Sequence, residues 1–296
     1  METRNRNIGY FILTVGMFSW GANFGIVKSA YTFLAPLPFG AIRFTFSGIV
    51  LLAAMLWYEK GVSIRREDIG GLFKIGVLGL GLYQVFWSLG LNLTSASNSA
   101  LILSVQPLLG ALYATWIEKE PIEKGKYFGM LLALAGVVMV VLKPTVRLNI
   151  SVDTLAGDFL TFLAAICSSI FFSTWSKPLL KKYSPLKLMG YCMIATAATL
   201  WVATFIAAQT LRLDQMGTTA IGALAYSIII SGVIGHVLWY EGIARVGVTH
   251  SLIFLYLLPI CAVLFNYLVM GERVFLQQII GGVMILLGVH RGLKSR

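Results

Sequence analysis

The sequence predicts an all-α integral membrane protein: ten transmembrane helices as two inverted-topology five-helix repeats around a central cavity. Three observations predict it. First, 58% of the 296 residues are hydrophobic, only 12% are charged, and the mean hydropathy is +0.83. The apolar runs are about 20 residues long, the length a helix needs to cross a hydrocarbon core. They are apolar all round, not alternating, which excludes a β-barrel. Second, residues 77–137 align without a gap onto residues 229–289 at a constant offset of 152. Trp87 falls on Trp239, Gly90 on Gly242, Ser99 on Ser251, Pro107 on Pro259 and Glu120 on Glu272. Only twelve of the 61 positions are identical, but Trp, Pro and Glu seldom coincide by chance in so apolar a chain. Third, the positive charge alternates between the polar connections, heavy on one side and light on the other.

The spans read, in order, as approximately 8–28, 37–58, 70–91, 96–117, 125–143, 155–176, 185–209, 218–244, 248–270 and 275–291. The first follows Arg4 and Arg6 but is not a signal peptide: it stays apolar to Val27, ends in Lys28 and lacks a small-residue cleavage pattern. Ala35-Pro36-Leu37-Pro38 ends the first connection, and Glu59 to Asp68 forms the second. Glu118 to Lys126 follows the fourth span, and Lys177 to Pro185 follows the sixth. The longest polar stretch, Lys143 to Asp153, divides the chain into a first repeat, 1–147, and a second, 148–296.

With the amino terminus in the cytoplasm, 17 of the 23 Lys and Arg residues lie on the cytoplasmic side and five lie outside, with Arg43 left inside a helix. This bias puts both termini in the cytoplasm. It also explains the net charge of +11 as topology, so no nucleic-acid partner is expected. Five spans per copy is an odd number, so the second copy enters the membrane upside down relative to the first. Cys167, Cys192 and Cys261 all lie in apolar runs, where thiols pack and do not pair.

Polar and aromatic residues at membrane depth mark the candidate site, because a polar group facing lipid is costly. The third span carries Tyr83, Gln84 and Trp87, and its partner, the eighth, carries His236, Trp239 and Tyr240. Gln84 pairs with His236 by the offset, and the i,i+3 spacing sets each polar residue and its Trp on one helical face. One reading makes these cavity walls; the other makes them interhelical ties and interfacial Trp belts. His236 is either a proton acceptor or a neutral ring bound to a neighbouring helix. Asn98 and Ser99 in the fourth span correspond to His250 and Ser251 in the ninth, which also carries Tyr256. Pro107 and Pro259 free the Leu103 and Leu255 carbonyls and act as gating hinges or as plain packing kinks. Trp20 and Asn23 in the first span, with Ser168, Ser169, Ser173 and Trp175 in the sixth, complete the candidates. Arg43 either binds a substrate carboxylate or, as expected of a helix end, caps carbonyls and snorkels. Glu241 and Arg245 form an i,i+4 pair, and the Gly spacings Gly70/Gly71/Gly76/Gly79/Gly81, Gly129/Gly136 and Gly281/Gly282/Gly288 permit close helix packing.

Trp20-Gly21-x-Asn23, Arg43-Phe44 and the paired segments Pro107 to Glu120 and Pro259 to Glu272 carry a family resemblance. The chain resembles the drug/metabolite transporter superfamily, EamA branch, which includes aromatic-amino-acid exporters of the YddG type. The resemblance implies a cavity formed by the first, third, fourth, sixth, eighth and ninth spans, with the fifth and tenth peripheral. It implies a multipass inner-membrane carrier of small metabolites. The expected function is export of neutral or aromatic amino acids by alternating access; the alternative is a nucleotide-sugar or other metabolite carrier of the same superfamily. An intramembrane enzyme is disfavoured, because no HExxH or paired catalytic Asp occurs. No Asp or Glu sits at the centre of a span, which argues against a proton-coupled cation extruder. No cofactor or metal is expected; the partners are a small-molecule substrate and the lipid bilayer, and the protein is expected to be a monomer.

Overall fold

Ten helices in the structure, a computed structural model, are long and apolar enough to cross a membrane. They are α1 (Asn5–Val27), α2 (Pro36–Tyr58), α3 (Arg66–Leu93), α4 (Asn98–Trp116) and α5 (Lys124–Val141) in the first repeat. The second repeat holds α6 (Thr154–Leu180), α7 (Pro185–Ile206), α8 (Thr218–Val246), α9 (Val248–Val269) and α10 (Leu276–Lys294). Every expected span is present, its ends moved by a few residues. The structure describes residues 2–31, 34–59, 63–94, 96–119, 122–142, 152–210, 217–271 and 273–294. No strand occurs among them. Glu120, Glu272, the loop cations Lys60, Lys143, Arg147 and Arg212, and the 147/148 boundary between the repeats lie outside the described residues.

The two-fold relation can be read from the seam between α5 and α10. A Cβ placed on Gly129 would stand 2.6 Å from the Gly288 carbonyl oxygen, and one on Gly136 would stand 2.5 Å from that of Gly281. The offset maps Gly129 onto Gly281 and Gly136 onto Gly288. Exchanging the halves therefore turns each contact into the other, as a two-fold axis through the seam requires. Not every glycine serves this purpose: Gly70 and Gly282 meet no atom that a Cβ would touch.

The irregularities match as well. Helix α3 widens into a π-helical turn over Ile75–Gly81 and α8 does so over Ser227–Gly235, and the two starting residues are 152 apart. A third wide turn, Cys167–Thr174, lies in α6. There the Ser173 and Thr174 hydroxyls donate to the Ser168 and Ser169 carbonyls, five residues back, at 2.9 Å each. Gly79 lets the α3 and α6 wide turns touch, since its Cβ would lie 2.7 Å from the Phe172 backbone nitrogen. Helix α4 turns sharply at residues 104–105 and resumes at Gln106; α9 tightens into a 3-10 turn at Leu255–Leu257 and resumes at Leu258. Pro107 and Pro259 each sit in the first turn of the resumed helix, where a missing N–H leaves no bond unmade.

Tyr10 stacks on Phe254 with centroids 5.5 Å apart, and Gly292 meets Ile253. These contacts put the start of α1 and the end of α10 on one face, here called the terminal face; the opposite one is the far face. The lipid side is covered by exposed Phe11, Trp57, Trp116, Phe205 and Leu268. The belt tryptophans are thus Trp57 and Trp116, not Trp87 and Trp239, which are 4% and 2% exposed.

Candidate functional site

One cavity of about 390 Å³ lies where the repeats meet. Its lining runs from mid-bundle to the far face, where exposed Arg273 and Val274 form its rim. Trp20 and Asn23 come from α1, Tyr83, Gln84 and Trp87 from α3, and His236 and Trp239 from α8. The walls are aromatic. Trp20 meets the His236 ring edge-on at 4.9 Å and Trp239 at 5.5 Å, while Tyr83 stacks on Trp87 at 6.4 Å. Leu103 and Leu255, each four residues before its proline, both line it, as do Ser104, Gln106 and Pro259, and the Leu255 carbonyl accepts from the Leu258 N–H.

The polar centre of the cavity is Ser231, in the wide turn of α8. Its hydroxyl accepts from Arg43 Nη2 at 3.1 Å, and its carbonyl accepts from Trp20 Nε1 at 3.1 Å and from His236 Nδ1 at 3.0 Å. His236 Nδ1 also lies 3.0 Å from the Gly232 carbonyl. Carbonyls only accept, so Nδ1 carries the proton and Nε2 is left as a bare acceptor. Arg43 Nε donates to the Ser227 carbonyl at 3.1 Å, and its guanidinium carbon lies 5.0 Å from the Phe44 ring centroid. The Ser227 hydroxyl in turn donates to Asn23 at 2.9 Å. A regular helix spends each carbonyl on the N–H four residues on; the π-helical turn re-spaces those bonds and presents Ser227 and Ser231 to Arg43. Arg43 is 4% exposed, and among the described lining residues there is no Asp or Glu. A hydrogen bond to such a charged group contributes about 1.5–3 kcal/mol.

This corrects two expectations. Arg43 does not snorkel: it is drawn inward onto α8 and lines the cavity. The lining is also wider than the resemblance implies, since α2 contributes Arg43 and the far ends of α5 and α10 contribute Val140 and Gln278.

Asn98, Ser99, Tyr240, Ser251 and Tyr256 do not line the cavity. Asn98 turns toward α6, its Nδ2 3.3 Å from Asp158 Oδ1, which also accepts from Thr94 Oγ1 at 2.5 Å. Ser99 is fully buried and its hydroxyl has no partner among the described residues. Ser251 donates back to the Gly247 carbonyl at 2.9 Å. Tyr240 donates to the Phe172 carbonyl at 3.3 Å, and buried Tyr256 has an unpartnered hydroxyl. The hinge candidate Pro107 is buried outside the lining as well, unlike Pro259. Of the four α6 candidates only Ser168 lines the cavity; Ser169 and Ser173 bond within their own helix. His250 Nδ1 pairs with the Val246 carbonyl at 3.0 Å, and Glu241 and Arg245 form the expected pair at 3.0 Å.

The terminal face is shut. Helices α4 and α9 cross at Gly110, where a Cβ would stand 2.3 Å from Leu252. Trp175 Nε1 donates to Tyr113 at 3.0 Å, tying α6 to α4, and Thr115 bonds Tyr127 on α5 at 2.8 Å. Lys177 pairs with Glu118 at 2.6 Å, Lys182 with Asp68 at 2.8 Å, and Lys187 with Glu59 at 3.5 Å. The Tyr183 hydroxyl joins Asp68 at 2.6 Å. The bond to Asp68 pushes the Lys182 ammonium above its ordinary value and does the same to the Tyr183 phenol. Every ion pair found among the described residues lies at this face.

The family model described as the EamA-like transporter family matches residues 7–142 and again residues 155–290. The uncharacterized transporter YyaM of Bacillus subtilis is 26% identical over 97% of this chain and 93% of its own. An uncharacterized transporter of Archaeoglobus fulgidus is 24% identical over 97% and 99%. A chloroplastic WAT1-related protein of Arabidopsis thaliana is 24% identical over 94% of this chain and 68% of its own. A solved crystal structure, 20% identical, shares the fold with a TM-score of 0.81 over 98% of this chain and 96% of that one.

Proposed function

Because the chain belongs to the EamA-like transporter family, we propose that it exports neutral or aromatic amino acids by alternating access. That it is a membrane transporter follows from the family and from relatives named transporters, which supports a carrier over an enzyme. The cargo and the direction are our reading. One observation carries it: an aromatic-walled cavity at the junction of inverted repeats reaches one face while ion pairs and a helix crossing shut the other. Two-fold related halves supply two such closures around one site, and a carrier opens them in turn. Aromatic rings from α1, α3 and α8 suit an apolar or aromatic side chain. We place the protein in the plasma (inner) membrane with both termini in the cytoplasm, on the charge bias of its connections.

A second reading, a carrier of nucleotide sugars or other anionic metabolites, is favoured by Arg43 and Arg273 in a lining that holds no carboxylate among the described residues. Counterflow in proteoliposomes separates the two. Vesicles preloaded with unlabelled phenylalanine are expected to accumulate labelled phenylalanine transiently. Counterflow with a nucleotide sugar and none with any amino acid would overturn the amino-acid reading in favour of the second.

A further inference from the structure

We propose that Arg43 is the anchor for a carboxylate on the transported molecule; this rests on the transporter reading above and names the group by which the cavity holds its cargo. Buried charge inside a membrane bundle is costly, and a guanidinium there needs either a counter-charge or a task. Arg43 has no acidic partner among the described residues. Its two protein bonds, from Nε to the Ser227 carbonyl and from Nη2 to the Ser231 hydroxyl, use two of its five N–H donors. They hold the planar fork in place, and Phe44 at 5.0 Å flanks it. No bond from Nη1 is present among the described residues, and Arg43 lines the cavity. A purely structural tie between α2 and α8 would need neither a permanent charge nor a cavity-facing position; a serine or asparagine would do.

The surroundings fit a carboxylate and not a bare cation. The lining holds Arg43, Arg273 and His236 and, among the described residues, no Asp or Glu. His236, bonded through Nδ1 to the same Ser231, lines the same cavity, and its neutral ring keeps Nε2 as an acceptor. A donor group near the carboxylate, such as the ammonium of an amino acid, meets that acceptor. Trp20 and Trp239 close the apolar side, 5.5 Å apart. The preorganised fork matches a carboxylate with two parallel bonds, a geometry lysine does not reproduce.

The test measures binding by thermal shift and by isothermal titration to purified protein, using three probes of one shape: L-phenylalanine, 3-phenylpropionate and phenethylamine. The first two are expected to bind and the amine, which lacks the carboxylate, is not. Arg43→Gln is expected to weaken 3-phenylpropionate by about ten- to a hundredfold, the loss of a charge-assisted pair, with Arg43→Lys between. Unchanged elution on size exclusion shows that the variants are folded; if Arg43→Gln does not fold, the probe series on the unmodified protein decides alone. If 3-phenylpropionate binds and phenylalanine does not, the amino-acid reading falls and the carboxylate anchor stands. Phenethylamine binding as well as the carboxylates, equal affinities in Arg43→Gln, or no binding of either carboxylate probe overturns the anchor.

Discussion

The two ends of the bundle are built from equivalent residues and yet are in opposite states. At the terminal face Gly110 and Leu252 cross in contact. The offset maps this pair onto Ala262 and Ala100, which at the far face line the cavity. Glu118, which pairs with Lys177 at the terminal face, maps onto Met270, which carries no charge. Tyr113, which receives the Trp175 indole, maps onto Phe265, which has no hydroxyl. Duplication therefore supplies the same crossing twice, while the ion-pair latches found among the described residues belong to one side only. The helix crossings define what the gates are; the latches bias which gate is shut.

The sharpest way to break this comparison is chemical access. In a background with Cys167, Cys192 and Cys261 changed to serine, A100C is expected to react with a membrane-impermeant maleimide and L252C to stay unmodified, as read by mass spectrometry. Equal labelling of both would mean that the ends do not differ. Next in size is packing. Gly110→Leu drives a side chain into Leu252 and should destabilise this state by about 1–3 kcal/mol, seen as a lower melting temperature. Ala262→Leu, at the equivalent open position, should leave it nearly unchanged, and a matching loss there would sink the assignment of open and shut ends.

A smaller effect is expected from the latch. The side chains of Lys177 and Glu118 are about a quarter exposed, so Glu118→Gln should cost at most about 1 kcal/mol. Its signature is directional: labelling of L252C should rise in the Glu118→Gln background, and rise less at high salt, where the ion pair is already screened. The smallest effect concerns pH. Asp68 raises the Lys182 ammonium above its ordinary value. A raised cation stabilises fully below the unfolded-state value, about 10.4, and loses that contribution only as pH climbs through the folded value. Access at the terminal face should therefore be flat between pH 6 and 9, and a change within that window would mean that another group governs the latch.

Most of the fold was legible because hydropathy and charge act over whole helices. Ten apolar runs, a 152-residue offset and a one-sided charge bias lead to a bundle with inverted halves. The aromatic walls were legible too, because Trp87 and Trp239 share a face with Gln84 and His236 three residues before them. The wide turns were not. Nothing in Ile75–Gly81 or Ser227–Gly235 beyond scattered glycine announces a π-helical turn. Arg43 was misread for a related reason. An arginine near a helix end snorkels by default, and only the carbonyl and hydroxyl offered by the α8 turn draw it inward. Asn98 was misplaced because nothing in the sequence marks Asp158, early in the sixth span, as the acid that fixes the start of α4. Tyr240 follows Trp239 by one residue, which is about 100° around the helix, enough to turn it from the cavity to Phe172.

A π-helical turn closes its bonds one residue later than the helix around it, so it is the mark of one residue more than the helix needs. The turns at Ile75 and Ser227 start at the same place in each copy, 152 residues apart. Excision of that extra residue from either copy would rotate everything downstream by about 100°. In the first copy that would carry Tyr83, Gln84 and Trp87 off the cavity wall, and in the second His236 and Trp239. A substitution changes one cavity side chain at a time, but a one-residue deletion in either turn would dismantle half the site in a single step.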